Sequence, residues 1–198
     1  MKNESWTQAV AAFDIEAESL AATKEGMDQE AFAQALDALK SAARIGVAGC
    51  GHTGISCMHF AHLMCCIERP ARFISPAEAV HGAMGYIQKG DVLVLASRGG
   101  KTQELIPMME IAKGKGATVI SVTENLDSPL AKGADIVLGV RVTRETDKYN
   151  SQGTSSFAVV NAMFDALQIA LVEETGYRNE QFAVIHPGGA VGERLNRR

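Results

Sequence analysis

The sequence predicts an α/β fold in which a five-stranded parallel sheet is flanked by helices on both faces and preceded by a helical extension. Five short apolar runs alternate with segments of helical pattern, which is the order of repeated βαβ units. The runs are rich in Val, Ile and Leu and lack polar alternation, as strands buried on both faces require. With 198 residues, 46% of them hydrophobic, the chain is long enough to bury such a core.

The N-terminal extension, residues 1–43, is expected to form two helices separated by the segment TKEGMD. Ser5 and Gln8 have the spacing of a capping box for the first helix, and Asp28 is placed to cap the second. The remaining residues, 44–198, are assigned to one α/β domain. Apolar positions recur at helical spacing in the second helix, at Phe32, Ala35, Leu36 and Leu39.

From residue 44 onwards, strands and helices alternate. The helix after the second strand has Ser75 as its predicted cap and Pro76 at its first position, and a long helix from Thr154 to Thr175 ends at Gly176. Strands are predicted at 44–49, 71–75, 91–97, 118–123 and 135–140, and the other helices at 55–68, 75–80, 102–115 and 127–134. Ligands bind at the carboxyl ends of such strands, so the loops after Gly49, Ser97 and Thr123 are the candidate site.

The charge pattern excludes some classes of partner. The formal net charge is −4 and no basic run stands out, which argues against a nucleic-acid groove. A small anionic ligand stays compatible with this charge, because backbone amides can bind it. We expect no window apolar enough to span a bilayer, and the N-terminus lacks the pattern of a signal peptide. These observations predict a cytoplasmic protein with no nucleic-acid or membrane partner.

Cysteines and histidines cluster between residues 50 and 66. This crowding is not typical of a secreted disulfide framework. On a helix, His59, His62 and Cys66 share a face, so a metal site is one hypothesis. The paired CxxC spacing of structural zinc is absent, which favours packing residues and no metal. The four cysteines are Cys50, Cys57, Cys65 and Cys66.

The first candidate loop is GCGHTG, residues 49–54. Its glycines, Gly49, Gly51 and Gly54, are spaced more closely than a dinucleotide-binding fingerprint requires, and no acidic residue follows the next strand. We therefore expect no nicotinamide cofactor. A glycine-rich turn that enters a helix still predicts an anion site.

The second loop, SRGGKTQE, spans residues 97–104. The hydroxyls of Ser97 and Thr102, together with the amides between Gly99 and Thr102, can converge on one phosphate, and Lys101 adds a positive charge. An ordinary βα turn with a capping threonine is the alternative interpretation.

The third feature is GTSSFAVV, residues 153–160. Thr154, Ser155 and Ser156 supply three hydroxyls at the start of the long helix. A cap needs one hydroxyl, so three favour a phosphate ligand over capping alone.

Taken together and in this order, these segments resemble the SIS (sugar isomerase) domain, and more narrowly the arabinose 5-phosphate isomerases. FISPAEAVHGAMG, DSPLAKGADIVLGV and the C-terminal HPGGAVGERL add to the likeness. The resemblance implies a homo-oligomer, usually a tetramer, whose N-terminal helices form contacts and whose active sites are shared between subunits. Such isomerases often continue into paired CBS modules, and none is expected here.

The resemblance also implies an activity: aldose–ketose isomerisation of a sugar phosphate through an enediol(ate), with arabinose 5-phosphate and ribulose 5-phosphate as the suggested pair and no cofactor. The reaction needs a base, a proton shuttle and groups that stabilise negative charge. The implied catalytic residues are His81, His186, Glu145 and His52. The implied phosphate ligands are Gly51, Thr53, Ser97, Gly99, Gly100, Lys101, Thr102, Thr154, Ser155 and Ser156.

Four positions depart from the family pattern. His52 stands where the family has lysine, Gly99 where it has a second serine, and Lys101 and Ala83 where it has an acid. We hypothesise that His52 and Lys101 are complementary, one cation having left the first loop and another having entered the second. The alternative is a phosphosugar-binding or regulatory protein without catalysis.

Overall fold

Five parallel strands form one sheet in the computed structural model, which describes residues 2–196. The strands are β1 (Ile45–Gly49), β2 (Ala71–Phe73), β3 (Val92–Ala96), β4 (Thr118–Thr123) and β5 (Ile136–Gly139). Their order in the sheet is β2-β1-β3-β4-β5, and every neighbouring pair is parallel. The predicted fold class is confirmed.

The chain reverses its direction of winding between β1 and β3. β1 pairs with β2 on one side and with β3 on the other, in a register that sets Gly49 opposite Ala96. The loops that follow these two strands therefore start side by side. This is the topological switch point, where open α/β sheets bind their ligands.

Helices precede, connect and follow the strands. They are α1 (Asn3–Glu25), α2 (Gln29–Ser41), α3 (Gly51–Cys66), α4 (Pro76–Ala79), a 3₁₀ turn (Ala83–Tyr86), α5 (Leu105–Gly114), α6 (Pro129–Gly133), α7 (Ser155–Thr175), α8 (Asn179–Ile185) and α9 (Gly189–Asn196). The long helix ends as predicted, with Gly176 in the left-handed region at φ 64°. The sequence interpretation assigned no helix to α8 or α9.

Two of the predicted caps differ in the structure. The Ser5–Gln8 capping box is wrong, because α1 begins at Asn3 and the Ser5 amide already donates to the carbonyl of Lys2, at 3.0 Å. Ser75 does precede α4, but its side chain makes no capping hydrogen bond. Asp28 caps α2 as predicted, since its carboxylate accepts from the amides of Glu30 and Ala31.

Separate apolar cores lie on the two faces of the sheet. On one face α2, α3 and α7 pack against β-strand side chains such as Val47 and Val94. On the other face α5, α6 and the segment 74–87 pack against side chains such as Leu93 and Leu95. This is the expected three-layer αβα arrangement, and it leaves the ends of the strands as the place where loops meet.

The N-terminal helices pack directly on the α/β layers. Ala35 and Leu39 of α2 are fully buried in the α3–α7 core. In α1, the Thr23 hydroxyl donates to the Arg141 carbonyl and accepts from the Arg141 amide, both at 2.9 Å. Ser19 contacts Thr143, hydroxyl to hydroxyl, at 3.0 Å. α1 therefore supports the segment after β5, and α2 completes the core on one face of the sheet.

Contrary to the expectation that no window could span a bilayer, α7 is long and apolar enough to do so by length and composition, with a mean hydropathy of 1.5. In the structure one face of α7 packs into the protein core, whereas Ile169 on another face is 61% exposed. Phe164, Leu167 and Leu171 are fully buried, and Phe164 stacks on Phe60 with ring centroids 4.3 Å apart. A core position accounts for the apolar composition of this helix.

Candidate functional site

The loop after β3 is held in a closed turn. Ser97 is buried, and its hydroxyl lies 2.8 Å from the hydroxyl of Thr102 and accepts from the Gly100 amide at 3.1 Å. Among residues 2–196, the amides of Gly99, Lys101 and Thr102 have no internal acceptor. Unpaired amides in a fixed turn form a concave site for an anion.

Gly100 allows this turn to lie close to the next loop. Its φ is 63°, in the region that side chains rarely adopt, and a Cβ there would collide with the Ser128 hydroxyl and approach the Thr123 hydroxyl to 3.0 Å. Its carbonyl accepts from the Leu130 amide. Glycine is therefore required at this position by both conformation and space.

The start of α3 provides a second set of amides beside the first. Gly51 has φ 58°, and the Cys50 side chain makes no capping hydrogen bond. In the described part of the chain, the amides of Gly51, His52 and Thr53 have no internal acceptor, and the first α3 bond is from Gly54 to Cys50. Unpaired amides and the helix dipole favour an anion at such a terminus.

His52 lies where the first loop meets the segment before α7. A Cβ built on Gly153 would be 2.9 Å from His52 Nδ1, so the imidazole lies against Gly153. The ring also meets Phe157 edge-on, with centroids 6.5 Å apart. His52 is exposed on its remaining side and can reach a ligand at the α3 terminus.

Glu145, after β5, is almost fully buried, with 2% of its surface exposed. One carboxylate oxygen accepts from the Thr154 amide at 2.9 Å, the Thr154 hydroxyl at 3.2 Å and the Ser156 amide at 3.2 Å. The other oxygen accepts from Arg98 Nη1 at 2.6 Å. Glu145 therefore caps α7, a helix whose own Thr154 side chain makes no capping bond.

These contacts keep the Glu145 carboxylate ionised. Burial raises its pKa, but hydrogen bonds from Ser156 and Thr154 and the charge of Arg98 together outweigh burial and hold the pKa below its ordinary value. A carboxylate with both oxygens engaged and a lowered pKa is a weak proton acceptor at neutral pH.

The three hydroxyls at the start of α7 do not form an open cradle. The Thr154 amide and hydroxyl and the Ser156 amide bond to Glu145, and the Thr154 hydroxyl also accepts from the Thr146 amide at 2.9 Å. The hydroxyl of Ser155 is buried without a partner among the described residues. Phosphate binding by Thr154, Ser155 and Ser156 remains a prediction, and a carboxylate currently occupies part of their donor capacity.

Arg98 was missed by the sequence interpretation, although it joins three loops. Its Nε donates to Glu124 at 2.8 Å and its Nη1 to Glu145, while Glu124 also accepts from the Val142 amide at 3.0 Å. Its carbonyl accepts from the Thr123 hydroxyl at 3.0 Å. The available signal was an arginine after β3 with a glutamate after each of the next two strands.

The two other predicted catalytic residues lie on the surface, apart from this cluster. His81 precedes Gly82, whose φ is 112°, and His186 ends α8 with its ring 5.0 Å from that of Phe182. Within residues 2–196, no hydrogen bond joins either imidazole to the strand-end loops. A single chain thus brings together His52, Glu145 and the phosphate loops, but not His81 and His186.

The Cys/His segment has both buried and exposed side chains: Cys57 is buried, whereas His59, His62 and Cys65 are exposed. Cys57 and Met64 are fully buried in the core below α3. Burial raises the pKa of Cys50, and the nearby Glu104 carboxylate raises it further, so this thiol stays protonated near neutral pH. In the described part of the chain, no group of three His, Cys, Asp or Glu side chains is arranged to hold a metal ion.

A comparison with known proteins supplies the family. The pattern of the SIS domain matches residues 38–170, from the end of α2 to most of α7. The chain belongs to the SIS domain family. The matched region contains both amide sets, Arg98 and Glu145, and it ends before α8.

Two sequence relatives of this SIS domain are arabinose 5-phosphate isomerases. KdsD of Pseudomonas aeruginosa is 42% identical over 152 residues, which are 77% of this chain and 47% of that protein. KpsF of Escherichia coli is 40% identical over 126 residues, which are 64% of this chain and 40% of that protein. The chain thus spans about half the length, or less, of these curated relatives.

Solved structures share the fold over nearly the whole SIS chain. A Listeria monocytogenes protein, whose own assignment as a sugar-phosphate isomerase is provisional, superposes with a TM-score of 0.91 at 40% identity, covering 95% of this chain and 100% of that one. An Escherichia coli CFT073 protein in complex with arabinose 5-phosphate has a TM-score of 0.81 at 29% identity, covering 94% of this chain and 100% of that one.

Proposed function

We propose that this SIS domain is an aldose–ketose isomerase that interconverts arabinose 5-phosphate and ribulose 5-phosphate, or a closely related pair. The observation that carries the proposal is a pair of amide sets without acceptors among residues 2–196, at the α3 terminus and in the 97–102 loop, which start side by side at the switch point of the sheet. The names of the sequence relatives and the sugar-phosphate complex of a structural relative support the choice of substrate.

The phosphate of the substrate binds between the two loops. The hydroxyls of Ser97 and Thr102 and the amides of the 99–102 turn surround it on one side, and Gly51 and Thr53 on the other. Lys101 is exposed and supplies the cation that His52 does not carry permanently. No cofactor takes part.

Proton transfer is assigned to histidines. A base removes the proton beside the carbonyl, and a shuttle moves a proton between the two oxygens of the enediol(ate). His52 lies next to the proposed phosphate site. His81 and His186 are the other two histidines, and they reach the site of a neighbouring subunit in the oligomer. Glu145 is bound on both oxygens, so its part is considered separately below.

Assembly into a homo-oligomer delivers the missing residues. The α8 helix has no buried side chain, and Val184 is 77% exposed beside His186. On α1, Trp6 and Phe13 are 60% and 77% exposed. Clusters of exposed apolar side chains mark contact surfaces. We propose a tetramer in the cytoplasm, a reducing compartment that suits the four free cysteines.

A second candidate is a phosphosugar-binding protein without catalysis. His52 and Lys101, standing where the family pattern has a lysine and an acid, favour it. Such a protein would bind the same ligand at the same loops.

Exchange of a substrate proton with deuterated water separates the two functions. The protein is incubated with a panel of pentose and hexose phosphates, and the proton on the carbon beside the carbonyl is followed by NMR. We expect exchange and ketose formation with arabinose 5-phosphate. Thermal stabilisation by a sugar phosphate without any exchange would support the binding protein and reject the isomerase.

A further inference from the structure

We infer that Arg98 and Glu145 form a positioning pair. Arg98 holds the Glu145 carboxylate in place as the cap of α7, and this pair in turn fixes the turn that binds phosphate, while Glu145 takes no part in proton transfer. The inference rests on the proposed function for its kinetic readout, and it assigns a role to an arginine that lies inside the phosphate loop.

The burial and the contacts of Glu145 together argue against its acting as a general base. A general base needs a lone pair directed at the substrate proton. One oxygen accepts three hydrogen bonds from Thr154 and Ser156, and the other accepts the 2.6 Å bond from Arg98. With 2% of the residue exposed, solvent and substrate do not reach the carboxylate.

Arg98 connects the phosphate turn with two other strand ends. It is preceded by Ser97, whose hydroxyl shapes the turn, and its guanidinium bridges Glu124 and Glu145. Glu124 is anchored by the Val142 amide, and Glu145 by the first amides of α7. The loops after β3, β4 and β5 are thus held in one geometry by one side chain.

This arrangement differs from an ordinary surface ion pair. Arg98 has a third of its side chain exposed, but Glu145 is buried and hydrogen-bonded on both oxygens, so loss of either partner leaves unpaired polar groups in the interior. A shift of about 1 Å in a substrate-positioning group can cost roughly a hundredfold in rate. We therefore expect both residues to act on the bound phosphate through the loop.

The chain offers a matched control pair at the amino ends of the inner strands β1 and β3, opposite the strand-end loops. Arg44 Nε donates to Asp91 at 3.0 Å. Asp91, like Glu145, is almost fully buried, with 1% of its surface exposed. Asp91 also accepts from the Gln88 amide at 2.8 Å. Replacing Arg44 breaks an arginine–carboxylate pair of the same type without touching the strand-end loops.

The experiment compares Arg98→Gln, Glu145→Gln, the double variant and Arg44→Gln in three measurements. The first is kcat and KM for arabinose 5-phosphate across pH, the second is the Kd of inorganic phosphate, and the third is amide hydrogen exchange at Thr154 and Ser156. All four variants are tested as the full chain, after their folding is checked by circular dichroism.

A positioning pair predicts parallel losses. Arg98→Gln and Glu145→Gln should each raise KM by about 10- to 100-fold, weaken phosphate binding and speed exchange at Thr154. The double variant should be no worse than the worse single variant, because both changes break one contact. Arg44→Gln should leave KM, phosphate affinity and Thr154 exchange unchanged.

A catalytic base predicts a different pattern, which would overturn the inference. Glu145→Gln would then lower kcat by about 100- to 10,000-fold with little change in phosphate affinity. Arg98→Gln would retain activity and move the acidic limb of the pH profile upwards, since Glu145 would lose a neighbouring positive charge.

Failure of the proposed function is distinguishable from failure of the pair. If the wild-type protein isomerises no sugar phosphate, the isomerase assignment fails, while phosphate affinity and amide exchange still report on positioning. Unchanged exchange at Thr154 and unchanged phosphate affinity in Arg98→Gln would reject the positioning pair whatever the activity of the protein.

Discussion

The strand-end loops and the C-terminal helices differ in how firmly the rest of the chain holds them. The loops after β3, β4 and β5 are joined by the Arg98 ion pairs, and the loop after β1 starts beside the loop after β3. Helix α8, in contrast, has no buried side chain and ends in the exposed His186. This difference is what the proposed function rests on, in which one chain supplies the anion site and a second subunit brings the exposed histidines to it.

The largest expected effect falls on the most constrained loop position. Gly100→Ala introduces a side chain at φ 63° that collides with Ser128, so strain and overpacking should destabilise the protein by about 3 kcal/mol. Gly99→Ala is the control, since a Cβ there meets nothing within 4 Å. Urea unfolding measures both variants, and equal midpoints would contradict a packed turn.

The next largest effect is expected from removing the charge of Arg98. Arg98→Met leaves Glu145 buried without its partner, at an expected cost of about 3 kcal/mol, the lower end for such pairs because Arg98 is partly exposed. Arg44→Met should cost a similar amount, because Asp91 is equally buried. The two variants should differ in phosphate affinity, measured by calorimetry, and similar affinities would argue against a special role for the strand-end pair.

The pH dependence of stability tests the state of Glu145. Its pKa is lowered in the folded protein, so its ionised form adds stability above the unfolded pKa, and this contribution is lost as pH falls through the folded pKa. The difference in unfolding free energy between wild type and Glu145→Gln should be constant from about pH 6 to 8 and shrink below about pH 4.5. A difference that grows in acid would show that the carboxyl is protonated in the native state.

A double-mutant cycle tests whether the cation of Lys101 compensates for the lysine that His52 replaces. His52→Lys and Lys101→Glu restore the family residues, and together they should cost less activity than the sum of the single changes. A coupling of at least about 0.5 kcal/mol in kcat/KM is expected for residues that share a ligand. Strict additivity would mean that the two positions act independently.

The smallest effect on stability is expected in the C-terminal helices. Val184→Asp changes a side chain that is 77% exposed, so monomer stability should change by less than about 0.5 kcal/mol. Subunit association, measured by analytical ultracentrifugation, should weaken, and turnover should fall while phosphate affinity remains. Unchanged assembly and turnover would contradict a contact role for α8.

Much of the fold could be predicted from sequence because strand burial leaves a direct trace. β1 and β3 consist entirely of buried positions, and no polar residue interrupts them. The Asp28 cap and the Gly176 stop are likewise local, since each depends on residues a few positions away. The Ser5 cap was wrong because the backbone of α1 continues upstream and satisfies the Ser5 amide without a side chain.

The candidate site was less predictable, because its contacts join residues distant in sequence. Arg98 and Glu145 are separated by 47 positions, and only the parallel register brings the two loops together. The hydroxyls at the start of α7 were expected to face a ligand, but local sequence gives no sign that Glu145 accepts from their segment. Sequence motifs identify the hydrogen-bond donors well, whereas the acceptors that those donors find inside the protein depend on the assembled fold.

Backbone NMR during a titration with arabinose 5-phosphate tests most directly where the anion binds. We expect saturable shifts at the amides of Gly51, His52 and Thr53 and at those of Gly99, Lys101 and Thr102, with inorganic phosphate shifting the same signals. Shifts at other surfaces, or none at these six amides at saturating ligand, would contradict an anion site at the strand ends.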